Sequence, residues 1–442
     1  MRRTSHLIKK VIYKIKYICA IFLIRCSVYA DSPRCTARVL TLIAGTINTR
    51  GAYRVLCIGR TIFLDDVKAM AKFSGRIQYS VIHKIFFGLI FSQFTRAAER
   101  EKITENNYHT HMYCAEGKIK YNRYLTRMLP WLQKFLGFDA MLSGNFAYIA
   151  QEEIASVCHI LGIPFIVLHK EAFDVDRDFV HKYRGCKFIG AKMLLYNKRV
   201  KDALLYSEAR VGGVSDDILE VVGVPRLDSH FSLRHTTLAD PHIVFFSFYP
   251  HDYFPSGEKG EEAKMRQARK RTDAVHTWVM GFALRHPQRR VVIKTKFAAH
   301  YLQYVKSILQ DNFTQPIPNL VITNSLSPFD LIKDSSVVVG YSSMVLIEAL
   351  IANRTVVSPY FADIIHNDGL ETFFQKYPDF INYVQTEGEF NDRVGDLTQR
   401  ATYDTEKRNA FLAELIFTPD GQASTRAEDA IIKTIKNFRN EK

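Results

Sequence analysis

After residue 38 the chain alternates short apolar runs with stretches whose apolar residues return every three or four positions. "YRVLCIG" reads as a strand, and a helix follows from about Leu64 to Phe73. "IQYSVIH" and "DAMLSGN" (139–145) are the next strands. "FAYIAQEEIASVCHILG" sets Phe146, Ile149, Ile154, Val157 and Ile160 roughly on one helical face, and "IPFIVLHKE" is again a buried strand. "KMLLYNKRVKDALLYS" and "LEVVGVPRLD" repeat the pattern more weakly. A polar break, "DSHFSLRHTTLADP" (228–241), separates this series from a second one. There "HIVFFSFY", "RRVVIKTK", "NLVITN" and "SSVVVG" are strands. Helices are expected over 261–285, around 299–310, from Pro328 to Lys333 and over about 424–438. Such alternation predicts parallel strands with crossover helices. The expected fold is α/β, with two Rossmann-like domains, 36–230 and 240–442, facing a cleft.

The first thirty residues differ. In "HLIKKVIYKIKYICAIFLIRC" the apolar residues Leu7, Ile8, Val11, Ile12, Ile15, Ile18, Cys19, Phe22 and Leu23 recur at helical spacing, with Lys9, Lys10, Lys14 and Lys16 mostly opposite. Residues 1–30 are therefore expected to form a basic amphipathic helix, meeting an anionic membrane surface through residues 7–23. The uncharged run Tyr17 to Ile24 is far short of a membrane span. Docking on the protein itself and a cleavable signal before "SVYADS" are the competing readings.

Composition sharpens this picture in two respects. A length of 442 residues exceeds one ordinary core and suits two domains of roughly 200 residues. Lys and Arg exceed Asp and Glu by 15, which calls for an anionic partner. The first 60 residues alone hold twelve Lys and Arg against one acid, Asp31, so no nucleic-acid groove is needed to explain the excess. No aromatic–basic RNA motif or zinc finger is visible, and no nucleic-acid partner is expected. The seven cysteines include no CxxC pair, as suits reduced thiols in the cytoplasm rather than a disulfide framework.

The candidate chemistry sits at strand ends, because ligands of parallel sheets bind beyond the carboxyl edge. In "VVVGYSSMVLIEALIANRTVVSPYF" a strand reaches Gly340, and Ser342 and Ser343 stand where the next helix begins. The unsatisfied N–H groups of that helix start, or a serine hydroxyl, suit a phosphate, and Gly340 lets the backbone come close. Capping of the helix is the plainer role of a serine there. Lys294 and Lys296 end the strand "VVIKTK" at the same edge. Ammonium groups beside a helix N-terminus form a diphosphate site without a metal.

"VVGVPRLD" (221–228), "VVIKTK" (291–296) and the Gly340 segment occur in an order that resembles the GT-B glycosyltransferases. The resemblance is best to those of bacterial capsule and surface-polysaccharide biosynthesis and to their glycerol-phosphate-transferring relatives. It covers about residues 139–361. It implies a nucleotide-sugar donor whose diphosphate is contacted by Lys294, Ser342 and Ser343, with Glu348 as the acid of the following helix. Lys296 and Gly340, read from the strand ends, complete the expected donor set, and no cofactor or metal is expected. Arg226 would approach the interdomain hinge. The chain reads "LHKEAF" where glycerol-phosphate transferases often show a His-Gly turn, and "IKTKFAAH" where many have Lys-Pro-His.

A transferase must also deprotonate or orient an acceptor hydroxyl. "IVLHKEAFDVD" offers His169 and Glu171 directly after a buried run, beside Lys170, Asp174 and Asp176. "LSGN" offers Ser143, Gly144 and Asn145 at the neighbouring strand end. His251 and Asp252, in "YPHDYFP", are reserves. The expected activity is transfer of a sugar to a surface polysaccharide or its lipid-linked precursor, on the inner face of the cytoplasmic membrane. A sugar-nucleotide epimerase of the same architecture is the alternative enzyme, and a basic membrane- or nucleic-acid-binding protein is the alternative of another class.

Overall fold

The computed structural model describes residues 2–59, 61–110, 112–170, 175, 177–234, 241–253, 262–341, 343–361, 378–395 and 404–440. They form two compact units, Met1–Asp228 with Ala413–Lys442, and Ser229–Leu412.

In the first unit the strands are β1 (Gly45–Ile47), β2 (Tyr53–Gly59), β3 (Ile77–His83), β4 (Ala140–Ser143), β5 (Phe165–His169), β6 (Lys192–Leu195) and β7 (Leu219–Val221). Their order across the sheet is β1-β3-β2-β4-β5-β6-β7. β1 is antiparallel to β3, and every other pair is parallel. β4 and β5 are buried along their whole length, which is why both are unbroken apolar runs in sequence. The three-residue edge strand β1 is too short to carry a periodic signal in the sequence. From β2 onward the order is that of a doubly wound sheet whose direction reverses between β2 and β4.

The second unit holds β8 (His242–Phe246), β9 (Val291–Lys294), β10 (Leu320–Thr323), β11 (Ser335–Val339), β12 (Thr355–Pro359) and β13 (Asn382–Val384), all parallel. The order β10-β9-β8-β11-β12-β13 is the six-strand Rossmann arrangement, and it reverses between β8 and β11. The helices Glu262–Arg285, Ala299–Asn312 and Pro328–Lys333 fall where the periodicity puts them.

The last helix, Ala423–Asn440, forms as expected but belongs to the first unit rather than to the end of the second domain. The Asp228 carboxylate accepts the backbone N–H groups of Ala423 (3.1 Å) and Ser424 (2.7 Å), occupying donors that a helix start leaves open. Glu428 is fully buried, where it accepts the Tyr79 hydroxyl (2.7 Å) and the Arg76 N–H (2.9 Å).

At the other end of the chain a helix spans Arg2–Tyr29 and turns into a second, Pro33–Ile43, with proline in its first turn. Ala20, Ile24 and Val28 of the first helix are buried in the unit's core. A hydroxyl chain, Ser27 to Thr36 to Tyr124, joins the two helices to the helix Ala115–Leu136. One face of the first helix is thus docked on the protein. Among the described residues no helix is long and apolar enough to cross a membrane.

Candidate functional site

In the second unit the reversal point lies beyond Phe246 and Val339. Strand register fixes the height of each group there. Phe246 pairs with Lys294, and Phe245 with Val339, so Lys294, Phe246 and Gly340 stand level on one edge. The flanking strands β9 and β11 are roughly 10 Å apart, with β8 between them. Gly340 has little room for a side chain, since a Cβ there would lie 3.1 Å from Leu346 Cδ2. Tyr341 packs on Phe248 at 5.2 Å between ring centres. Ser343 is the N-cap of the helix Met344–Ile351, yet its hydroxyl makes no capping bond. Ser343 thus caps the helix by position, with its carbonyl accepting the Leu346 N–H (3.0 Å), but not through its hydroxyl. Ser342 lies outside the described residues.

Beside this turn, Ser247 hydrogen-bonds His276 Nε2 (2.8 Å), and His276 Nδ1 donates to the Thr272 carbonyl (2.8 Å). Burial pushes His276 down to about 4, so the ring is neutral and accepts the serine proton. The Lys294 ammonium donates to the carbonyls of Thr295 (2.6 Å) and Asn324 (3.2 Å), leaning toward β10. Burial lowers its pKa, and among the described residues it forms no ion pair. Lys296 differs, because its charge is matched by Asp252 at 2.7 and 3.0 Å. His251 lies 3.4 Å from the same carboxylate. Glu348 is near the buried His230 (3.5 Å), whose ring is edge-on to Phe329.

In the first unit the residues singled out from sequence come together at the carboxyl edges of β4 and β5. The Ser143 hydroxyl is held by the Gln151 side chain and the Asn145 carbonyl. Asn145 accepts the Ala147 N–H (2.8 Å) and reaches the Tyr183 hydroxyl (3.4 Å), which His169 Nε2 also meets at 3.1 Å. Phe146, Phe179 and Tyr183 surround the His169 ring, which has no exposed surface. Lys170 is nearly buried, and its N–H donates to the Gly144 carbonyl (3.2 Å). What comes close at Gly144 is Phe63. A Cβ at Gly144 would fall 2.8 Å from that side chain, and one at Gly59 only 2.1 Å. The two glycines let Phe63 fill the reversal point between β2 and β4. Glu171, Asp174 and Asp176 lie outside the described residues; the last two stand two positions apart, a spacing suited to a divalent cation.

Arg226 is committed within this unit. Its guanidinium meets the fully buried Asp66 at 3.0 Å and the Tyr196 hydroxyl, and its backbone N–H donates to Asp66 (3.0 Å).

A further pair lies nearby, and only one of its members is legible in the sequence. Glu152, buried in the first turn of the helix Ile149–Leu161, lies 3.0 Å from His109 Nε2. The adjacent Glu153 accepts from Tyr108 (2.9 Å) and Asn122 (2.7 Å). Burial pushes the Glu152 carboxyl up to about 6, against the pull of His109. A carboxylate holding an imidazole at a sheet edge is an arrangement able to take up a proton. "QEE" at the helix start was a visible signal, whereas its partner comes from a polar loop 43 residues upstream.

Because the folded pKa of Glu152 lies above its ordinary 4.5, this group contributes stability below pH 4.5 that is lost as pH rises through about 6. At pH 7.5 the ionised form costs about 2 kcal/mol. Glu152→Gln is expected to raise the melting temperature relative to the parent at pH 7.5 and to lose that advantage near pH 4.5. Comparing the two proteins at each pH cancels the acid titration of His276. An equal difference at both values would show that folding does not raise the Glu152 pKa.

No family model matches the chain, and no curated protein matches it in sequence. Solved structures do resemble it. The UDP-GlcNAc 2-epimerase of Methanocaldococcus jannaschii is 13% identical with a TM-score of 0.51, over 86% of this chain and 99% of that one. A further UDP-N-acetylglucosamine 2-epimerase is 11% identical at 0.50, over 87% and 96%. MurG of Acinetobacter baumannii is 12% identical at 0.42, over 86% and 99%. At such identities the likeness is one of fold: two parallel-sheet, Rossmann-like units of the GT-B type.

Proposed function

We propose that the protein is a glycosyltransferase of the surface-polysaccharide type. It moves a sugar from a nucleotide-activated donor to a capsule-like glycan or its lipid-linked precursor on the cytoplasmic side. The observation that carries this reading is the turn at Gly340–Ser343. It stands level with Lys294 at the reversal point of the second sheet, with the Ser343 hydroxyl free of any cap bond. The leaving diphosphate would lie against the N–H groups of the helix Met344–Ile351, with Lys294, Lys296 and Ser342 as further donors. Lys294 is the better placed of the two lysines electrostatically, since Asp252 already neutralises Lys296. Glu348 would face the ribose. The order of the GVPRLD, VVIKTK and GYSSMVLIEA segments supports the surface-polysaccharide type.

The acceptor's proton would be taken at the first unit's sheet edge. Glu171 is the base in this reading, with Ser143, Gly144, Asn145 and Lys170 shaping the floor and His169 acting through Tyr183. A second base is favoured by geometry, namely His109 held by Glu152. Turnover of Glu171→Gln against His109→Asn separates them, because the variant lacking the base loses about a hundredfold or more. The reaction is taken as metal-independent, and turnover unchanged by EDTA checks that. Loss restored by Mn2+ would move Asp174 and Asp176 from proton chemistry to metal binding.

The first experiment is a melting screen with UDP-, CMP-, CDP- and GDP-sugars. One nucleotide family should stabilise the protein, and Lys294→Met and Ser342→Ala should remove most of the shift. No stabilisation by any of them would count decisively against a nucleotide-sugar enzyme. The fold neighbours named above make a sugar-nucleotide epimerase the second reading. It predicts conversion of the donor without an acceptor, and transfer predicts none.

A further inference from the structure

From Ile15 to Tyr29 the first helix is apolar on two opposite sides, and among the described residues only one of them is covered. Ala20, Ile24 and Val28 are at most 6% exposed. At 100° per residue, Ile15, Ile18, Phe22 and Tyr29 fall on the far side. They are 56, 65, 64 and 92% exposed. A helix docked on a globular surface ordinarily turns charge outward there. Here the cations stand at the borders of the stripe instead, with Lys16 and Arg25 both exposed. On the neighbouring helix Pro33–Ile43, Leu42 is 70% exposed. The single acid of the first 60 residues, Asp31, is taken up by Arg127. The face is therefore apolar along its middle and uncompensated positive around it.

We propose that this stripe lies in the surface of an anionic bilayer, with Ile18 and Phe22 among the acyl chains and Lys16 and Arg25 on lipid phosphates. The apolar residues contribute burial, and the flanking cations contribute attraction to the headgroups. The helix lies on the membrane and does not cross it. Docking by the inner face holds the outer one in place, so little ordering entropy is lost on binding. A second copy of the chain is the poorer occupant. A two-fold contact would set a face bordered by the exposed Lys16 and Arg25 against its own image, and the first 60 residues hold one acid to offset such cations, so like charges would meet. This inference does not depend on the reaction proposed above, and nucleotide binding can be followed separately in every variant.

The test is co-sedimentation of the full chain with vesicles. Vesicles of phosphatidylglycerol and phosphatidylcholine in equal parts should bring the protein down, and pure phosphatidylcholine should retain far less. Ile18→Glu/Phe22→Glu should weaken binding to the mixed vesicles by at least about tenfold. Lys16→Glu/Arg25→Glu should weaken it by about the same factor and flatten its dependence on salt. All four positions are exposed, so both variants should melt with the parent. Equal sedimentation of parent and apolar variant would overturn the proposal. So would a dimer in vesicle-free solution that Phe22→Glu dissolves, since the stripe would then belong to a second copy. A parent that ignores mixed vesicles altogether would overturn it as well.

Discussion

Asp66→Ala is expected to cost about 3–5 kcal/mol of stability. The Asp66 carboxylate is fully buried on the helix Thr61–Phe73. It accepts the Tyr196 hydroxyl (2.6 Å), the Arg226 backbone N–H (3.0 Å) and the Arg226 guanidinium (3.0 Å). The guanidinium also lies over the Tyr196 ring, 5.2 Å from its centre. Removing the carboxylate takes the counter-charge from a largely buried cation and an acceptor from two donors at once, and the cost is mainly that of the charge left uncompensated. Arg226→Ala should be milder, because Asp66 keeps the tyrosine and the backbone N–H. The double variant should then cost less than the sum of the singles, with a coupling of about 1–3 kcal/mol. Urea unfolding of the three proteins measures this. A loss below about 1 kcal/mol in Asp66→Ala would mean that the pair is not a structural tie. Arg226→Ala with lost turnover but unchanged stability would return that residue to the acceptor role its motif implies.

Ser343→Asp should move stability and ligand binding in opposite directions. Aspartate is at least as good an N-cap as serine, and its charge meets the positive end of the helix Met344–Ile351. With no capping bond to lose, the variant should gain about 0.5–1 kcal/mol. The same carboxylate would stand where the donor diphosphate is proposed to rest. At about 4 Å and an effective dielectric near 20, repulsion amounts to roughly 4 kcal/mol per charge pair. Affinity for the nucleotide-sugar should therefore fall by about a hundredfold or more. Titration calorimetry with thermal melting reads both effects. A variant that is stabilised and still binds as the parent does would remove the diphosphate from this helix end. A variant that loses both stability and binding would only report damage, and Ser343→Asn, an uncharged cap, serves as the control: it should gain stability while keeping most of the affinity.

Local signals account for much of what was legible. The helix Pro328–Lys333 has the bounds the sequence predicts, because proline at the start and a short apolar repeat are properties of adjacent residues. Strands β4, β5, β8, β9 and β11 were equally plain, being apolar runs that only a sheet covered on both faces would bury. The floor of the first sheet edge was also visible, since Ser143 and His169 each end a strand and Asn145 follows in the turn after the first of them. Their enclosure by Phe146, Phe179 and Tyr183 was not, because side chains from two separate segments, the turn at Phe146 and the helix Arg177–Tyr183, make that wall.

By itself the sequence determined the alternation of strands and helices, the break between two series, and the edge at which each strand ends. Those follow from periodicity and from turn chemistry over a few residues. Tertiary structure alone decided the partners: Glu428 for Tyr79 across 349 residues, Arg226 for Asp66 across 160, and Glu152 for His109 across 43. It also decided that the last helix returns to the first unit and that the first helix keeps an apolar face uncovered. A buried charge or an exposed stripe is defined by what surrounds it, and those surroundings are assembled from segments whose distance along the chain leaves no local trace.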